Sequence, residues 1–253
     1  MAGVHLSELV AHLDEYLRHD EVKDYAGALN GLQVENSGKV SRVAVAVDAS
    51  VRTVAECVRR GCDLLVVHHG LFWEGPRAVT GRRYQRLKAL LDADVAVYSS
   101  HLPLDVHPTV GNNVVLLRAL GVEPDGRFGD YQGEPLGFRG RTSMTRSGLE
   151  TRLKEVLGGT VHVMPFGPDD IRDVGVITGG AGSMIEAAIE AGLDAFVTGE
   201  GAHHTHFDAE EGGINVFYGG HYATETWGVR ALAEYMEQTL GLPWEFIDHP
   251  TGL

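Results

Sequence analysis

The chain has 253 residues, 43% of them hydrophobic, which is enough to bury one large core or two smaller ones. Lysine and arginine total 21 against 35 aspartates and glutamates, and the net charge of −14 argues against a nucleic-acid surface, since such a surface needs a basic stripe. No apolar run is long enough to span a membrane and the first residues contain no basic or apolar leader, so we expect a cytoplasmic protein that binds neither membranes nor nucleic acid.

Helical patterns and apolar runs alternate in the first part of the chain. Ser7, Ser50 and Asn113 are predicted N-caps, Gly61 ends a helix, and Asn-Gly within residues 25–35 indicates a loop. Helices are predicted over residues 7–18, 51–60, 83–91 and 114–120, and strands over 43–47, 64–67 and 95–98. The apolar residues expected to face inward on the third helix are Tyr84, Leu87, Leu90 and Leu91.

The second part of the chain repeats this alternation after an irregular stretch. Residues 123–140 lose periodicity and are rich in glycine, proline and aspartate, so we place a domain boundary near residue 125. Beyond it, helices are predicted over 147–157, 184–191 and 225–240, and strands over 161–164, 174–178, 195–197, 214–218 and 244–247. We therefore expect a first α/β lobe over residues 1–124, with residues 221–253 packed near it, and a second lobe over 125–220.

The chain is organised around residues 64–73. Four apolar residues run directly into His68 and His69, and Gly70 follows. The run predicts a buried parallel strand, and ligands bind at the carboxyl ends of such strands in open α/β sheets. Gly70 would permit a bend that a side chain resists, so the two imidazoles could serve two different metal ions. The alternative is one buried, hydrogen-bonded histidine beside one exposed histidine.

An internal duplication relates two parts of the chain. Residues 43–70 align without a gap on residues 174–201, and residues 97–105 align on residues 217–225. In the second pair, each copy ends an apolar strand with a histidine that is followed four residues later by a carboxylate. The sequence therefore predicts an α/β fold of two similar lobes with mostly parallel sheets, and a metal-binding cleft between them.

Six side chains at these strand ends are candidates for a metal centre. A single His-x-x-x-acid pair is common and usually has a capping or surface role, but two pairs in a duplicated unit favour a shared site. Imidazole and carboxylate without thiolate suit Zn, Mn, Fe, Co or Ni, and six groups exceed what one catalytic zinc uses, so two divalent ions fit better. Such a pair predicts hydrolysis of a small-molecule substrate, with binding without turnover as the other possibility. The candidates are His68, His69, His101, Asp105, His221 and Glu225.

The motifs that contain these residues resemble the Nif-three-like dinuclear metal protein family, many members of which are named type-two homologues of GTP cyclohydrolase I. The motifs occur in the family's order over nearly the whole chain. They are Gly31-Leu32-Gln33-Val34, His68-His69-Gly70-Leu71-Phe72-Trp73, His101-Leu102-Pro103-Leu104-Asp105, Gly111-Asn112-Asn113, Val197-Thr198-Gly199-Glu200 and Gly220-His221-Tyr222-Ala223-Thr224-Glu225.

The resemblance implies a metal-dependent hydrolase of the GTP cyclohydrolase type that uses a metal-bridging water, with a non-catalytic metal-binding or regulatory protein as the alternative. It implies a ring-shaped homo-hexamer, and the chain resembles the short form without an inserted domain. His101 lies close to the metal pair in this comparison, and the residues favoured for catalysis are His101 and Glu225. The implied ligands of the two divalent ions are His68, His69, Asp105, His221 and Glu225.

Two groups of residues bear on phosphate binding. The stretch Gly179-Gly180-Ala181-Gly182 follows a strand and precedes a helix, but it lacks the lysine of a phosphate loop, so a turn is favoured over a phosphate cradle. Arg77, Arg82 and Arg83 are the basic residues nearest to His69 in the sequence, and a solvated helix start is the favoured interpretation for them.

Three histidines and three aromatic residues outside the candidate ligands each have two possible roles. The histidines after Glu200 could transfer protons or could form an exposed polar loop. The aromatic residues could line a pocket, and core packing is expected for at least one of them. Cys57 and Cys62 have the spacing of neither a redox pair nor a zinc ribbon, which favours reduced structural thiols. The histidines are His203, His204 and His206, and the aromatic residues are Phe72, Trp73 and Trp227.

Overall fold

The structure is a computed structural model that describes residues 3–73, 75 and 77–253. The chain forms two compact units. The first unit comprises Met1–Leu104 and Gly228–His249, and the second comprises Asp105–Trp227 and Pro250–Leu253. The first boundary between the units thus follows Leu104, whereas the sequence pattern placed it near residue 125. Among the helices of the described residues, none combines the length and the apolar content that a membrane span requires.

Helices and strands alternate along the chain, which confirms the predicted α/β class. The helices are α1 (Leu6–Tyr16), α2 (Val51–Arg59), α3 (Gly81–Asp92), α4 (Leu102–Asp105), α5 (Asn112–Ala119), α6 (Arg146–Leu157), α7 (Ile185–Glu190), α8 (Thr205–Gly212) and α9 (His221–Leu240), and a 3-10 helix covers Ala181–Met184. The strands are β1 (Val4–His5), β2 (Gly31–Val34), β3 (Lys39–Val40), β4 (Val43–Asp48), β5 (Leu64–His69), β6 (Ala96–Ser99), β7 (Pro124–Tyr131), β8 (Glu134–Arg141), β9 (His162–Pro165), β10 (Asp173–Val176), β11 (Ala195–Thr198), β12 (Asn215–Tyr218) and β13 (Trp244–Phe246).

The main sheet of the first unit has the strand order β13-β4-β5-β6-β2. Strands β13, β4, β5 and β6 are parallel, and β2 adds an antiparallel edge. Continuous apolar runs make β4 and β5 buried along nearly their whole length, as a parallel sheet covered on both faces requires. The register places Asp48, at the end of β4, opposite His69 at the end of β5.

The sheet of the second unit has the order β7-β8-β10-β11-β12-β9. Its three central strands, β10, β11 and β12, are parallel, and β8 and β9 flank them in the antiparallel sense. The core on one face joins α5 and α6 to this sheet through buried side chains such as Leu117, Leu149 and Phe217. The sheet is therefore mixed, with its parallel strands at the centre.

The duplicated segments form the same arrangement in each unit. Strands β4, β5 and β6 run parallel in that order, as do β10, β11 and β12, and in both sheets an antiparallel strand lies beyond the third member. The helix between the first two strands is followed by Gly61 in one unit and Gly192 in the other, and both glycines have positive φ angles. The gap-free alignment of the sequence therefore corresponds to a repeated structural element.

One of the three predicted N-caps is confirmed and two are wrong. Ser50 caps α2 as predicted: its hydroxyl accepts the N–H of Thr53 at 3.1 Å. Ser7 lies inside α1 and does not cap it, because the N-cap position is His5. Asn113 lies inside α5, and its amide instead joins backbone groups of β8 and of the segment after β10.

Two stretches that the sequence assigned to loops contain strands. Residues 25–35 include β2, and residues 123–140 include most of the β7–β8 hairpin. Edge and hairpin strands are half exposed, so no continuous apolar run marks them. On α3, Leu90 is buried as predicted, whereas the side chains of Tyr84 and Leu91 are exposed. The two cysteines are buried free thiols, in agreement with the sequence.

Candidate metal centre

Three histidines of the first unit lie together at the carboxyl edge of its sheet. His68 and His69 are the last residues of β5, and His101 follows β6. One ring nitrogen from each of the three lies within 4.8 Å of those of the other two. His68 and His101 are buried and His69 is half-buried. We call these three residues the histidine cluster.

Each imidazole of the histidine cluster is held through Nδ1 by an oxygen atom. His68 Nδ1 donates to the Ser100 carbonyl at 2.9 Å, His69 Nδ1 lies 2.9 Å from Asp48 Oδ1, and His101 Nδ1 lies 2.8 Å from Asp24 Oδ1. A carbonyl oxygen only accepts hydrogen bonds, so His68 carries its proton on Nδ1. Histidines that bind metal ions commonly have this arrangement, in which Nδ1 is held by a hydrogen-bond acceptor and Nε2 is the ligand atom.

Asp24 holds His101 from within a buried network. Its carboxylate also accepts the side-chain amide of Asn30 at 2.9 Å and the backbone N–H of Leu102 at 3.0 Å. Burial alone would raise the pKa of Asp24, but hydrogen bonds from His101 and Asn30 outweigh it, so the pKa lies below its usual value. Asp24 is therefore an anion with a fixed orientation, and it fixes the His101 ring.

A second network holds the residue that orients His68. The Ser100 hydroxyl lies 2.9 Å from His19 Nε2, and His19 Nδ1 lies 2.9 Å from Asp14 Oδ1. Tyr98 also donates to Asp14, at 2.8 Å. Ser100 is fully buried, so this serine, histidine and aspartate arrangement lacks the exposed hydroxyl that a nucleophile needs. Its structural effect is to fix the Ser100 backbone that binds His68.

Aromatic rings pack against the histidine cluster. The Trp73 ring lies 4.7 Å from the His101 ring and 5.4 Å from the His69 ring, measured between centroids. Trp73 therefore forms a wall of the site, which is one of the two roles that the sequence predicted for it. Trp227 instead packs against the core of the second unit, and Phe72 lines a neighbouring cavity of the first unit.

The second unit presents a histidine and a carboxylate on the first turn of α9. His221 Nε2 lies 3.2 Å from Glu225 Oε1, and His221 Nδ1 lies 2.7 Å from Glu200 Oε1. The spacing of four residues places both on one helix face, as predicted. The hydrogen bond with Glu225 raises the pKa of His221 to about 9; burial opposes this effect and Glu200 reinforces it. A divalent cation would replace the proton that Nε2 and Oε1 share.

The Gly-rich stretch after β10 makes room for Glu225. Gly179 has a φ of +70°, and a Cβ on it would lie 2.1 Å from Glu225 Oε1. Its N–H donates to the Thr224 hydroxyl at 3.0 Å. The stretch is thus a turn packed against the His221–Glu225 pair, in line with the turn favoured over a phosphate cradle.

Asp105 is buried at the start of the second unit. Its Oδ1 accepts the side-chain amide of Asn112 at 2.8 Å, and the Thr178 hydroxyl lies 3.4 Å from the same oxygen. His203, His204 and His206 are exposed, which matches the exposed polar alternative.

The sequence interpretation missed the residues that orient the imidazoles. Asp48 had a detectable signal, because it ends the strand beside β5 in the predicted parallel sheet. Glu200 ends the motif Val197-Thr198-Gly199-Glu200, which by itself indicates no role for the carboxylate. His19 and Asp24 lie in the irregular segment between α1 and β2, and Asp14 lies near the end of α1, so no periodicity relates them to the histidines.

The donor set fits divalent transition metals. The histidine cluster offers imidazole nitrogens with fixed tautomers, and the second unit offers an imidazole beside a buried carboxylate. Divalent transition-metal ions such as Zn²⁺, Mn²⁺ and Fe²⁺ bind such mixed nitrogen and oxygen ligands, whereas Ca²⁺ prefers oxygen alone. The residues present therefore fit the metal type that the sequence predicted.

Comparisons with known proteins extend over nearly the whole chain. A protein from Deinococcus radiodurans named GTP cyclohydrolase 1 type 2 homolog is 44% identical over 250 residues, covering 97% of this chain and 94% of its own. A protein of the same name from Halobacterium salinarum is also 44% identical, covering 98% of this chain and 99% of its own. The crystal structure of TTHA1606 from Thermus thermophilus has a TM-score of 0.90 at 38% identity, covering 99% of this chain and 100% of its own.

A further solved structure, that of the protein ybgI, has a TM-score of 0.92 at 37% identity, covers 99% of this chain and 100% of its own, and is described as having unknown function. Residues 4–251 match the sequence model of the family described as Duf34/NIF3 (NGG1p interacting factor 3). The chain therefore belongs to the Duf34/NIF3 family.

Proposed function

We propose that this protein binds two divalent metal ions and uses them for hydrolysis. The observation that carries the proposal is the fixed orientation of four imidazoles, each of which has Nδ1 within 2.9 Å of a carboxylate or carbonyl oxygen. One such hydrogen bond is common in a structural histidine. Four histidines that are all held through Nδ1, together with a buried carboxylate, are suited to bind metal ions through Nε2. The proposed ligands are His68, His69, Asp105, His221 and Glu225.

The bound ions would supply Lewis acidity and a water molecule of lowered pKa near neutral pH. Because its Nδ1 is bonded to the Asp24 anion, His101 can exchange a proton only through Nε2. Trp73 shields the rings of His69 and His101 from water on one side. We assign His101 to proton transfer and Glu225 to metal binding with a second role in catalysis.

The reaction class that we favour is hydrolysis of the GTP cyclohydrolase type, since curated relatives carry that name. In such a reaction, one water attacks C8 of the guanine and opens the imidazole ring to a formamide, and a second water hydrolyses the formamide to an amine and formate. The chain has no phosphate loop, and its Gly-rich turn packs on Glu225. Recognition of a triphosphate would therefore need other cationic groups.

The metal content of protein purified without a histidine tag tests the first half of the proposal. We expect two equivalents of a transition metal per chain, measured by elemental analysis. His68→Ala should lower this content, whereas His162→Ala, which removes an exposed histidine of β9, should not. Equal metal content in both variants and the parent would contradict the assignment.

The pairing of the ions is tested separately by electron paramagnetic resonance of Mn²⁺-loaded protein. Two ions that share a bridging ligand give a spin-coupled spectrum, and the coupling should disappear in Glu225→Gln and in His69→Ala alike. A spectrum of isolated Mn²⁺ ions would refute a dinuclear centre, even if the metal content were two per chain.

Catalysis is tested with Mn²⁺-, Fe²⁺- or Zn²⁺-loaded protein against GTP and a panel of phosphoesters. We expect product formation, with formate released from GTP, that is lost in His68→Ala. A spin-coupled metal pair without turnover would favour the alternative, a non-catalytic metal-binding or regulatory protein. The homo-hexamer is also a proposal, and light scattering should then give six times the mass of one chain.

A further inference from the structure

A mostly apolar cavity opens in the first unit beside α3. Its volume is about 500 Å³, within the roughly 300–1,000 Å³ that is typical of small-molecule sites. Leu29, Leu71 and Phe72 form apolar walls, and three arginines contribute from the segment before α3 and from α3 itself. These arginines are Arg77, Arg83 and Arg86.

Hydrogen bonds hold the apolar walls in place. The backbone N–H of Leu29 donates to the Phe72 carbonyl at 3.2 Å. The Gln33 side chain joins the same two segments, because it accepts the N–H of Leu71 and donates to the Leu29 carbonyl, both at 2.6 Å. A Cβ on Gly70 would lie 2.3 Å from the Gln33 amide, so the glycine is needed for this close approach. The cavity is therefore preformed.

The cationic side of the cavity is unusual in a chain with a net charge of −14. Residues 74–92 include four arginines and a lysine against two acidic residues. Arg86 Nη1 donates to the Ala49 carbonyl at 2.7 Å, which anchors the guanidinium, and its Nε is buried without a hydrogen-bond partner among the described residues. Burial lowers the pKa of Arg86, and the charges of Arg82 and Arg83 lower it further. An anion placed here would relieve this repulsion.

We propose that this cavity binds a small organic anion, whose apolar body packs on Leu29 and Phe72 and whose oxyanion head binds Arg83 and Arg86. Guanidinium groups present paired N–H donors that match phosphate and carboxylate oxygens. The sequence had favoured a solvated helix start for Arg77, Arg82 and Arg83, but two of these line the cavity. The inference goes beyond the proposed hydrolysis and does not depend on metal binding.

Calorimetric titration with naphthyl phosphate, naphthoate, naphthalenemethanol and inorganic phosphate tests this inference. At least one of the two naphthyl acids should bind roughly tenfold or more tightly than neutral naphthalenemethanol, as expected for hydrogen bonds to a charged group. The tighter of the two acids identifies the preferred head group. Inorganic phosphate should bind more weakly than naphthyl phosphate, because it lacks the apolar body. Equal binding of the alcohol and both acids would overturn the role of the arginines.

Matched variants on α3 locate the site. Arg86→Gln and Arg83→Gln should each weaken binding of the preferred acid roughly tenfold, whereas Arg82→Gln, on the exposed side of the same helix, removes the same charge and should change it less than about twofold. Val79→Trp, which fills the cavity from an exposed position, should abolish binding without affecting the fold. Equal effects of the three arginine variants would indicate general attraction and refute a built site.

A chelator separates this inference from the proposed metal centre. The affinity for the preferred acid should be the same before and after metal removal, because no histidine of the cluster lines the cavity. Loss of binding after chelation would place the ligand on the metal ions and overturn the inference. Unchanged binding in a protein that proved to hold no metal would leave the inference standing and refute the proposed function alone.

Discussion

Replacing Asp48 by asparagine tests whether the residues around the imidazoles serve metal binding. Asp48 ends β4, and its Oδ1 lies 2.9 Å from His69 Nδ1. Asparagine keeps the size and an acceptor oxygen but removes the negative charge. It therefore weakens the contact that orients the His69 ring while leaving every proposed ligand in place.

The two competing roles of Asp48 predict different magnitudes. Loss of a carboxylate that orients a ligand typically weakens metal binding by about 10- to 100-fold, which is about 1.4–2.7 kcal/mol. The Asp48 side chain is 39% exposed, so its pair with His69 is screened by solvent. We therefore expect the free energy of unfolding of the metal-free protein to fall by less than about 1 kcal/mol.

Competition with a chromogenic chelator measures the metal affinity, and urea unfolding of the metal-free protein measures the stability. Asp92→Asn is the matched control, because it removes the same charge from an exposed pair with Lys88 in the same unit. The control corrects for the general attraction of cations to an acidic protein. Equal metal affinity in Asp48→Asn and Asp92→Asn would refute the reasoning, and so would a large loss of stability in Asp48→Asn without a loss of affinity.

Three further predictions concern the second unit, the α2 cap and the bound ions. Gly179→Ala and Gly158→Ala both place a side chain at a φ of +70°, but only the first puts Cβ 2.1 Å from Glu225 Oε1, whereas the second points into open space. Metal affinity by the same competition assay should thus fall about tenfold or more in Gly179→Ala alone; equal affinities would show that Glu225 is not a ligand. Ser50→Ala removes the acceptor for the Thr53 N–H and should cost about 1 kcal/mol of unfolding free energy in urea, with unchanged metal content. Removal of the metal by a chelator should lower the thermal midpoint, since an ion present at about 100 times its Kd stabilises the native state by about 2.7 kcal/mol; an unchanged midpoint would argue that the histidines are structural.

The central strands and the candidate ligands could be predicted from the sequence because burial leaves a strong local pattern. Strands β4 and β5 are covered on both faces, so they contain unbroken apolar runs, which are followed by Asp48 in β4 and by His68 and His69 in β5. The duplication then located the second set of strands, and the four-residue spacing located His221 and Glu225. These are properties of neighbouring residues in the sequence.

The remaining features depend on contacts between distant residues. Asp24 reaches His101 across 77 positions, and His19 reaches Ser100 across 81. No local pattern encodes such pairs. The same limit explains the misassigned role of Gly70: the sequence suggested an unusual bend, but in the structure a Cβ at this position would displace the Gln33 amide from its hydrogen bonds.

The duplicated positions show how one fold supplies different chemical roles. With a constant shift of 131, Asp48 corresponds to Gly179 and His69 corresponds to Glu200. In the first unit, Asp48 orients a histidine and His69 is a candidate ligand. In the second unit, Gly179 leaves room for Glu225, and Glu200 orients His221. The strand ends are therefore fixed by the fold, and the side chain at each end decides whether it binds, orients or makes room. It follows that giving Gly179 the residue of the corresponding position in the first unit, as in Gly179→Asp, should disrupt the His221–Glu225 pair rather than create a second orienting carboxylate, because the new side chain would occupy the place of Glu225.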